Sequence, residues 1–306
     1  MLKCIKLIPA SFVEFQIGVF GNMPKISNVH NLPERMTRLL SQSYKPNPNR
    51  MGVTGLIDSP RIRSLLIERY DDIEMDISDM LSTLIGISVH EYSESKAPAN
   101  EDTEHKLTDT HDSEGKEFGI TLVGKADNYI EPMIIDIKTK ATGFEKFGML
   151  DIEEQLNVYA YQRRKRFQNV DKLVADIIYR NWKLMLVYGD YPPIAYKEME
   201  VPLWTFKEEE KFIWDNLNFH KDHPYDCPDK YRWKKNDTFA VKNKGAKKAL
   251  RVLDSEQEAE SWIKTKGRGD SIEHRKGGCL RCDSYCNVRS VCRFSDKCID
   301  KYKGEK

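Results

Sequence analysis

No stretch of this 306-residue chain stays apolar long enough to span a bilayer, and the N-terminus lacks the charged-then-apolar pattern of a secretory signal. Those absences predict a cytoplasmic protein. A surplus of one charge is missing too. The 49 Lys and Arg residues stand against 48 Asp and Glu, so no global basic field announces a nucleic-acid partner, and any such surface has to be local. Internal repeats and low-complexity tracts are also absent, and so is any helicase motif. With no sign of secretion, the seven cysteines are better read as metal or cluster ligands than as disulfides. The length allows a sizeable core, as one large domain or as a domain with an appendage.

Prolines 24, 33, 46 and 48 interrupt the first fifty residues, leaving one short helical segment near Glu34 to Leu40. The spacing of Leu65, Ile73, Ile77, Leu81 and Leu84 then predicts a helix over 61–94, closed by His90. Gly86, one turn earlier, would let another backbone come close. A polar stretch follows, with a turn expected around 112–115. Residues 118–130 and 133–140 read as two strands joined at Glu131-Pro132, 151–167 as a helix and 175–188 as containing a strand. Beyond Pro202 a helix is expected over 204–219, then a hairpin over 239–253 turning at Lys244-Gly245. A last helix starts where Ser255 and Glu258 have the spacing of a capping box. The cysteine-rich tail from Gly277 holds too little apolar side chain to fold without a staple.

Four short motifs fall along this framework: Gly86-Ile-Ser-Val-His90, Gly124-Lys-Ala-Asp127, Asp136-Ile-Lys138 and Gln155-Leu-Asn-Val-Tyr159. Strand alternation puts Asp136 and Lys138 on one face with the Ile137 carbonyl between them, and Asp127 arrives from the neighbouring strand. Two carboxylates brought together are costly to bury unless a cation is present. Oxygen ligands plus the His90 imidazole suit Mg²⁺ or Mn²⁺. Gln155 and Tyr159 lie one helical turn apart on a shared face. Each motif alone has a plainer explanation: a strand Asp-x-Lys is usually an ion pair, and a lone helix-end His is usually a cap.

In this order the motifs resemble the PD-(D/E)XK superfamily of nucleases. Within it, the chain is most similar to the RecB-like and CRISPR-associated exonucleases and to phage exonuclease-like members. The resemblance runs from about Gly52 to the last cysteines, with Ala126 standing where the superfamily name has proline. It implies an α/β fold: a restriction-endonuclease-like core with a mixed central sheet flanked by helices, plus a cysteine-rich C-terminal region. The corresponding divisions are an N-terminal extension (1–50), the nuclease core (51–200) and a basic, cysteine-rich region packing on it (201–306). It also implies a metal-dependent DNA exonuclease acting at ends or single-stranded tracts in recombination, repair or replication. A structure-specific endonuclease on the same core and a non-catalytic DNA-binding assembly module are the alternatives. In the resembled family His90, Asp127, Asp136 and the Ile137 carbonyl would hold the ion. Lys138 would orient the attacking water, with Gln155 and Tyr159 beside the site.

Two basic stretches suit a DNA partner. Arg163, Arg164, Lys165 and Arg166 extend the Gln155/Tyr159 helix, and Arg232, Lys234 and Lys235 surround Trp233, with Phe239, Lys247 and Lys248 further on. Basic groups beside aromatics favour single-stranded nucleic acid. Cys279, Cys282, Cys286 and Cys292 crowd into a polar tail, with Cys298 after them, a density that points to zinc or an iron–sulfur cluster. The resemblance favours [4Fe–4S] on Cys282, Cys286 and Cys292, with Cys227 or Cys279 as fourth ligand. Cys4 reads as an ordinary terminal residue. A helicase or recombination protein would supply any unwinding, in a host cytoplasm if the source is viral.

Overall fold

A computed structural model describes residues 24–40, 46–98, 102–103, 106–110, 120–147 and 149–293. In chain order come β1 (Lys25–Ser27), α1 (Glu34–Leu40), β2 (Arg50–Gly52), α2 (Val53–Leu56), α3 (Pro60–Glu68), β3 (Glu74–Asp76) and the long helix α4 (Leu81–Lys96). Five strands follow: β4 (Asp102–Thr103), β5 (Lys106–Thr110), β6 (Thr121–Lys125), β7 (Asn128–Ile130) and β8 (Met133–Lys140). Next are α5 (Leu150–Arg164), β9 (Lys172–Tyr179), β10 (Tyr196–Val201) and α6 (Phe206–Asp222). A single turn, α7 (Asp229–Arg232), leads to β11 (Thr238–Lys242), β12 (Arg251–Leu253), α8 (Glu256–Lys266) and β13 (Ser271–Arg275).

The central sheet has five strands in the order β10-β9-β8-β7-β4, mixed because β8 and β9 run parallel while their neighbours are antiparallel. A parallel pair needs a crossover, and α5 supplies it. Alternation turns Ile134 of β8 and Leu173, Ala175 and Ile177 of β9 into the main core. There they meet Ile152, Leu156 and Tyr159 of α5 and Ile213 and Leu217 of α6. Ile137 and Ile178 point the other way, toward α4, and line a groove of about 890 Å³ with Leu84, Ile85, Val89 and Tyr92. The result is a mixed α/β fold with a mixed central sheet flanked by helices. A second sheet, β2-β6-β5, abuts it, and β12-β11-β13 with α8 makes a separate three-stranded layer.

Several elements differ from expectation. The helix predicted over 61–94 is two helices with β3 between them. The break is set by Asp76, whose carboxylate accepts from Ser78 N–H, Ser78 Oγ–H and Val29 N–H, while β3 pairs in parallel with β1. Leu65, Ile73 and Ile77 are buried all the same, so their helical spacing reflects burial shared by separate elements. Helix α4 continues past His90 to Lys96, and a Cβ on Gly86 would meet only Thr139 Oγ1 at 4.0 Å, so nothing there requires glycine. The strand expected over 118–130 divides at Ala126-Asp127, β6 belonging to one sheet and β7 to the next. The strand placed within 175–188 is β9, which starts earlier and stops at Tyr179, leaving Leu184 to Tyr188 exposed. The turn expected around 112–115, and Cys4 and Cys298, lie outside the described residues. No described helix is long and apolar enough to cross a membrane.

Candidate active site

Strand β8 carries Asp136 and Lys138 on the face it shares with Ile134, toward α5. Lys138 Nζ lies 2.6 Å from Asp136 Oδ2, and only 2 % of the Asp136 side chain is exposed. Burial pushes the Asp136 carboxyl above the usual carboxylate range, while Lys138 pulls it down.

Asp127 reaches the same place from the step between β6 and β7. The β7–β8 ladder ends where Asn128 faces Ile135, and beyond that point Ile137 N–H donates to Asp127 Oδ2 at 2.6 Å. The carboxylate takes up where main-chain pairing stops, which fixes its direction. Its other oxygen, Oδ1, lies 2.9 Å from His90 Nδ1 of α4, and that contact holds the imidazole above its ordinary pKa. Asp136 and Lys138 also act on His90 through space. Four residues from α4, the β6–β7 step and β8 therefore meet on one end of the sheet. Each carboxylate touches one cationic side chain of the protein. Among the described residues no three His, Cys, Asp or Glu side chains converge, as they stand, on a point able to hold a metal ion.

Helix α5 backs this end of the sheet. Gln155 Nε2 donates to Tyr159 Oη at 2.8 Å, both side chains being buried. Gly124 of β6 lies directly under the helix: a Cβ there would come 1.7 Å from Gln162 Oε1 and 3.1 Å from Tyr159 Cδ1. Glycine in the second motif is thus demanded by close packing. Glu154 is buried too. Burial raises its pKa, against the pull of Lys230, whose Nζ lies 2.9 Å from Oε1. Nothing in the sequence flags Glu154 or Gln162, because α5 is buried on every side from Glu154 to Arg163 and so shows no polar stripe.

No protein-family model matches the chain, and no curated protein does. Among solved structures, the crystal structure of SSO0001 is similar with a TM-score of 0.46 and 19% identity, covering 65% of this chain and 87% of that one. The crystal structure of a phage-related exonuclease from Haemophilus somnus 129PT gives a TM-score of 0.34 and 12% identity, covering 54% of this chain and 79% of that one. Both scores are too low for either likeness to bear on what this chain does.

The arginines of the first basic stretch are engaged within the fold, while Lys165 is exposed. Arg163 is 1 % exposed, pairs with Asp102 and lies with its guanidinium 4.3 Å from the centre of the Tyr129 ring. Arg164 bonds Glu209 at 2.7 Å and the carbonyls of Trp204 and Val170, each at 2.9 Å, so it ties α5 to α6. Arg166 folds back to the Gln162 carbonyl at 2.6 Å. These side chains were expected to face solvent; their partners are 45 to 61 residues away for the first two, where helical periodicity gives no warning. The second stretch stays at the surface. Arg232 and Lys234 both pair with Asp229, and Trp233 and Lys235 are exposed.

Cys227, Cys279, Cys282, Cys286 and Cys292 are not in disulfides. Cys286 and Cys292 pack with Val288 against Ile62, Leu65, Tyr70 and Ile73, which anchors the tail on α3. Burial pushes the thiols of Cys227 and Cys286 up, and Cys292 acts on both. Arginines ring them. Arg61 Nε donates to Cys292 Sγ at 3.2 Å, while Arg281, held by both Asp58 oxygens at 2.6 and 2.7 Å, pulls the Cys227 and Cys286 values down.

Proposed function

We propose that this chain is a divalent-metal-dependent deoxyribonuclease of PD-(D/E)XK type, working as an exonuclease at DNA ends or single-stranded tracts. The observation that carries the proposal is the meeting of His90, Asp127, Asp136 and Lys138 at the step between two sheets. Two buried carboxylates and an imidazole fit Mg²⁺ or Mn²⁺ by donor chemistry. His90, Asp127, Asp136 and the Ile137 carbonyl would hold the ion. For that, His90 and Lys138 must turn away from the carboxylates they now touch; their side chains are 31 and 21 % exposed and have room to do so.

When bound, the ion polarises the scissile phosphate and lowers the pKa of an attacking water. The chain's own groups do the rest. Lys138, released from Asp136, presents a point charge to the phosphate and orients the water. Asp127 stays fixed by its bond from Ile137 N–H, so the acid pair keeps its separation as the cations move. The buried Gln155–Tyr159 hydrogen bond stiffens the helix face behind Lys138 and sets it against substrate. Arg232, Trp233, Lys234 and Lys235 would contact DNA, and a helicase or recombination protein would supply unwinding.

We assign the cysteine module a structural [4Fe–4S] cluster, with Zn²⁺ as the alternative, on Cys282, Cys286, Cys292 and either Cys227 or Cys279. Thiols whose pKa values are raised by burial need a bound metal to become ligands. The ring of Arg61, Arg232 and Arg281 suits the negative charge of a thiolate-bound centre.

Linear and circular single-stranded DNA incubated with Mn²⁺, parent protein beside Asp136→Ala and Lys138→Ala, tests the nuclease assignment. Loss of the linear strand alone, absent in both variants, is expected. Cutting of the circle would make the enzyme an endonuclease. Tight binding with no metal-dependent cutting of either strand would sink the assignment in favour of an assembly module. Broad visible absorption after anaerobic purification would separate iron–sulfur from colourless zinc.

A further inference from the structure

Beside the cysteine module stands a pair of exposed aromatic rings. Trp233 and Tyr285 lie with centroids 5.6 Å apart and planes inclined by 48°, and they are 46 and 64 % exposed. The backbone that carries Trp233 is tied to the tail that carries Tyr285. Trp233 ends α7 in the left-handed conformation, with φ at 51° and ψ at 48°, a state that disfavours any residue with a Cβ. The next residues pair with the tail: Lys234 bridges Cys279, and Lys235 N–H donates to Gly278 O at 2.9 Å. That approach is so close that a Cβ on Gly277 would lie 1.9 Å from Lys235 O. Arg281, clamped by Asp58, lies 5.5 Å from the centre of the Trp233 ring.

Basic side chains flank the pair: Arg232 and Lys234 both bond Asp229. Lys230, three residues before Trp233, is bonded to Glu154, the neighbour of Gln155 on α5.

We propose that Trp233 and Tyr285 form a stacking platform for the unpaired bases of single-stranded DNA, with Arg232 and Lys234 on the adjacent backbone. This rests on the nuclease assignment and adds to it a substrate preference and a residue, Tyr285, outside the four motifs. A flat aromatic surface takes any base but only when that base is not stacked in a duplex, so the platform selects strands rather than sequences.

The test is binding, kept apart from cutting by working in the Asp136→Ala background without divalent metal. Labelled oligo(dT) and a blunt duplex of equal length are titrated by anisotropy, and folding is checked by circular dichroism and by metal content. Trp233→Ala and Tyr285→Ala should each weaken oligo(dT) binding about tenfold and leave duplex binding unchanged, the scale expected for one lost base–aromatic stack. Tyr285→Phe, which keeps the ring, should bind as the background protein does. Oligo(dT) should also quench tryptophan fluorescence, and Trp233→Phe should bind but lose most of that quenching. Folded Ala variants with unchanged oligo(dT) affinity, an equal loss on duplex, or quenching that survives in Trp233→Phe would each overturn the platform. If the Ala variants fail to fold, the two Phe variants and the quenching decide. Failure here leaves the cleavage test untouched, and a dead nuclease with the expected binding leaves the platform standing.

Discussion

Gly124→Ala tests whether the second motif is there for packing or for chemistry. The added Cβ would sit 1.7 Å from Gln162 Oε1, 2.8 Å from Gln162 Cδ and 3.1 Å from Tyr159 Cδ1. Gln162 is fully buried, so its amide has no route into solvent, and relief requires either a new Gln162 rotamer within the core or a shift of α5 off β6. Overpacking of this kind costs about 1–3 kcal/mol, and the stiffer unfolded chain returns roughly 0.5 of it. A net loss of about 0.5–2.5 kcal/mol lowers the melting temperature by roughly 1–5 °C, at about 2 °C per kcal/mol for a chain of this length. Where α5 shifts, Gln155 and Tyr159 shift together, so their mutual bond is kept but both move relative to Lys138, and cleavage should fall even well below the melting temperature. Gln162→Ala removes the clashing atoms. The double variant should therefore be more stable than the sum of the two single losses, a coupling of about 1 kcal/mol or more in a thermal or urea double-mutant cycle. Additive losses would show that Gln162 is not what Gly124 makes room for. An unchanged melting temperature in Gly124→Ala alone would refute the packing argument outright.

Glu209 is buried at 1 % exposure, and burial lifts its carboxyl from 4.5 to about 7 against the pull of Arg164. Its folded value is raised, so its contribution is complete below about pH 4.5 and is lost as pH rises through about 7. The loss amounts to roughly 3 kcal/mol relative to Glu209→Gln. Urea midpoints of both proteins across that window should diverge in favour of the Gln variant, and a constant difference would mean that Arg164 cancels the burial effect. Arg163→Met should destabilise by about 1–2 kcal/mol, since Asp102 loses its partner but stays partly hydrated, yet leave the salt dependence of DNA binding unchanged. A salt slope lower by about one unit would restore Arg163 as a phosphate contact. Cys286→Ser or Cys292→Ser should strip iron or zinc and lower the melting temperature, because both thiols pack against Ile62 and Leu65. Metal content equal to the parent's would remove either residue from the ligand set.

What could be read from the sequence was whatever depends on neighbours within a turn or a strand. Asp136 and Lys138 share a face because a strand alternates, Gln155 and Tyr159 because a helix turns, and Ser255 caps α8 because its partner Glu258 is three residues on. The run of β7, β8, α5 and β9 along the chain was legible for the same reason, whereas β10, which pairs with β9, was not. Asp127 could be named but its means of support could not. It ends a ladder and accepts the Ile137 N–H across ten residues, which needs the hairpin to exist first.

The run from Arg163 to Arg166 failed for a physical reason of the opposite kind. Four consecutive cations on a helix are ordinarily a solvated face. Here Asp102, half-buried and far upstream, and Glu209, buried and far downstream, supply counter-charges that no local pattern announces, and Tyr129 supplies a ring. A buried charge is tolerated only with its partner in place, so these residues act as clamps that hold α5 to β7 and α6. That makes the helix behind the candidate site rigid at its C-terminal end through ion pairs and at its N-terminal end through Lys230 on Glu154. The two ends differ in one respect: only the N-terminal clamp comes from the exposed basic segment that carries Trp233.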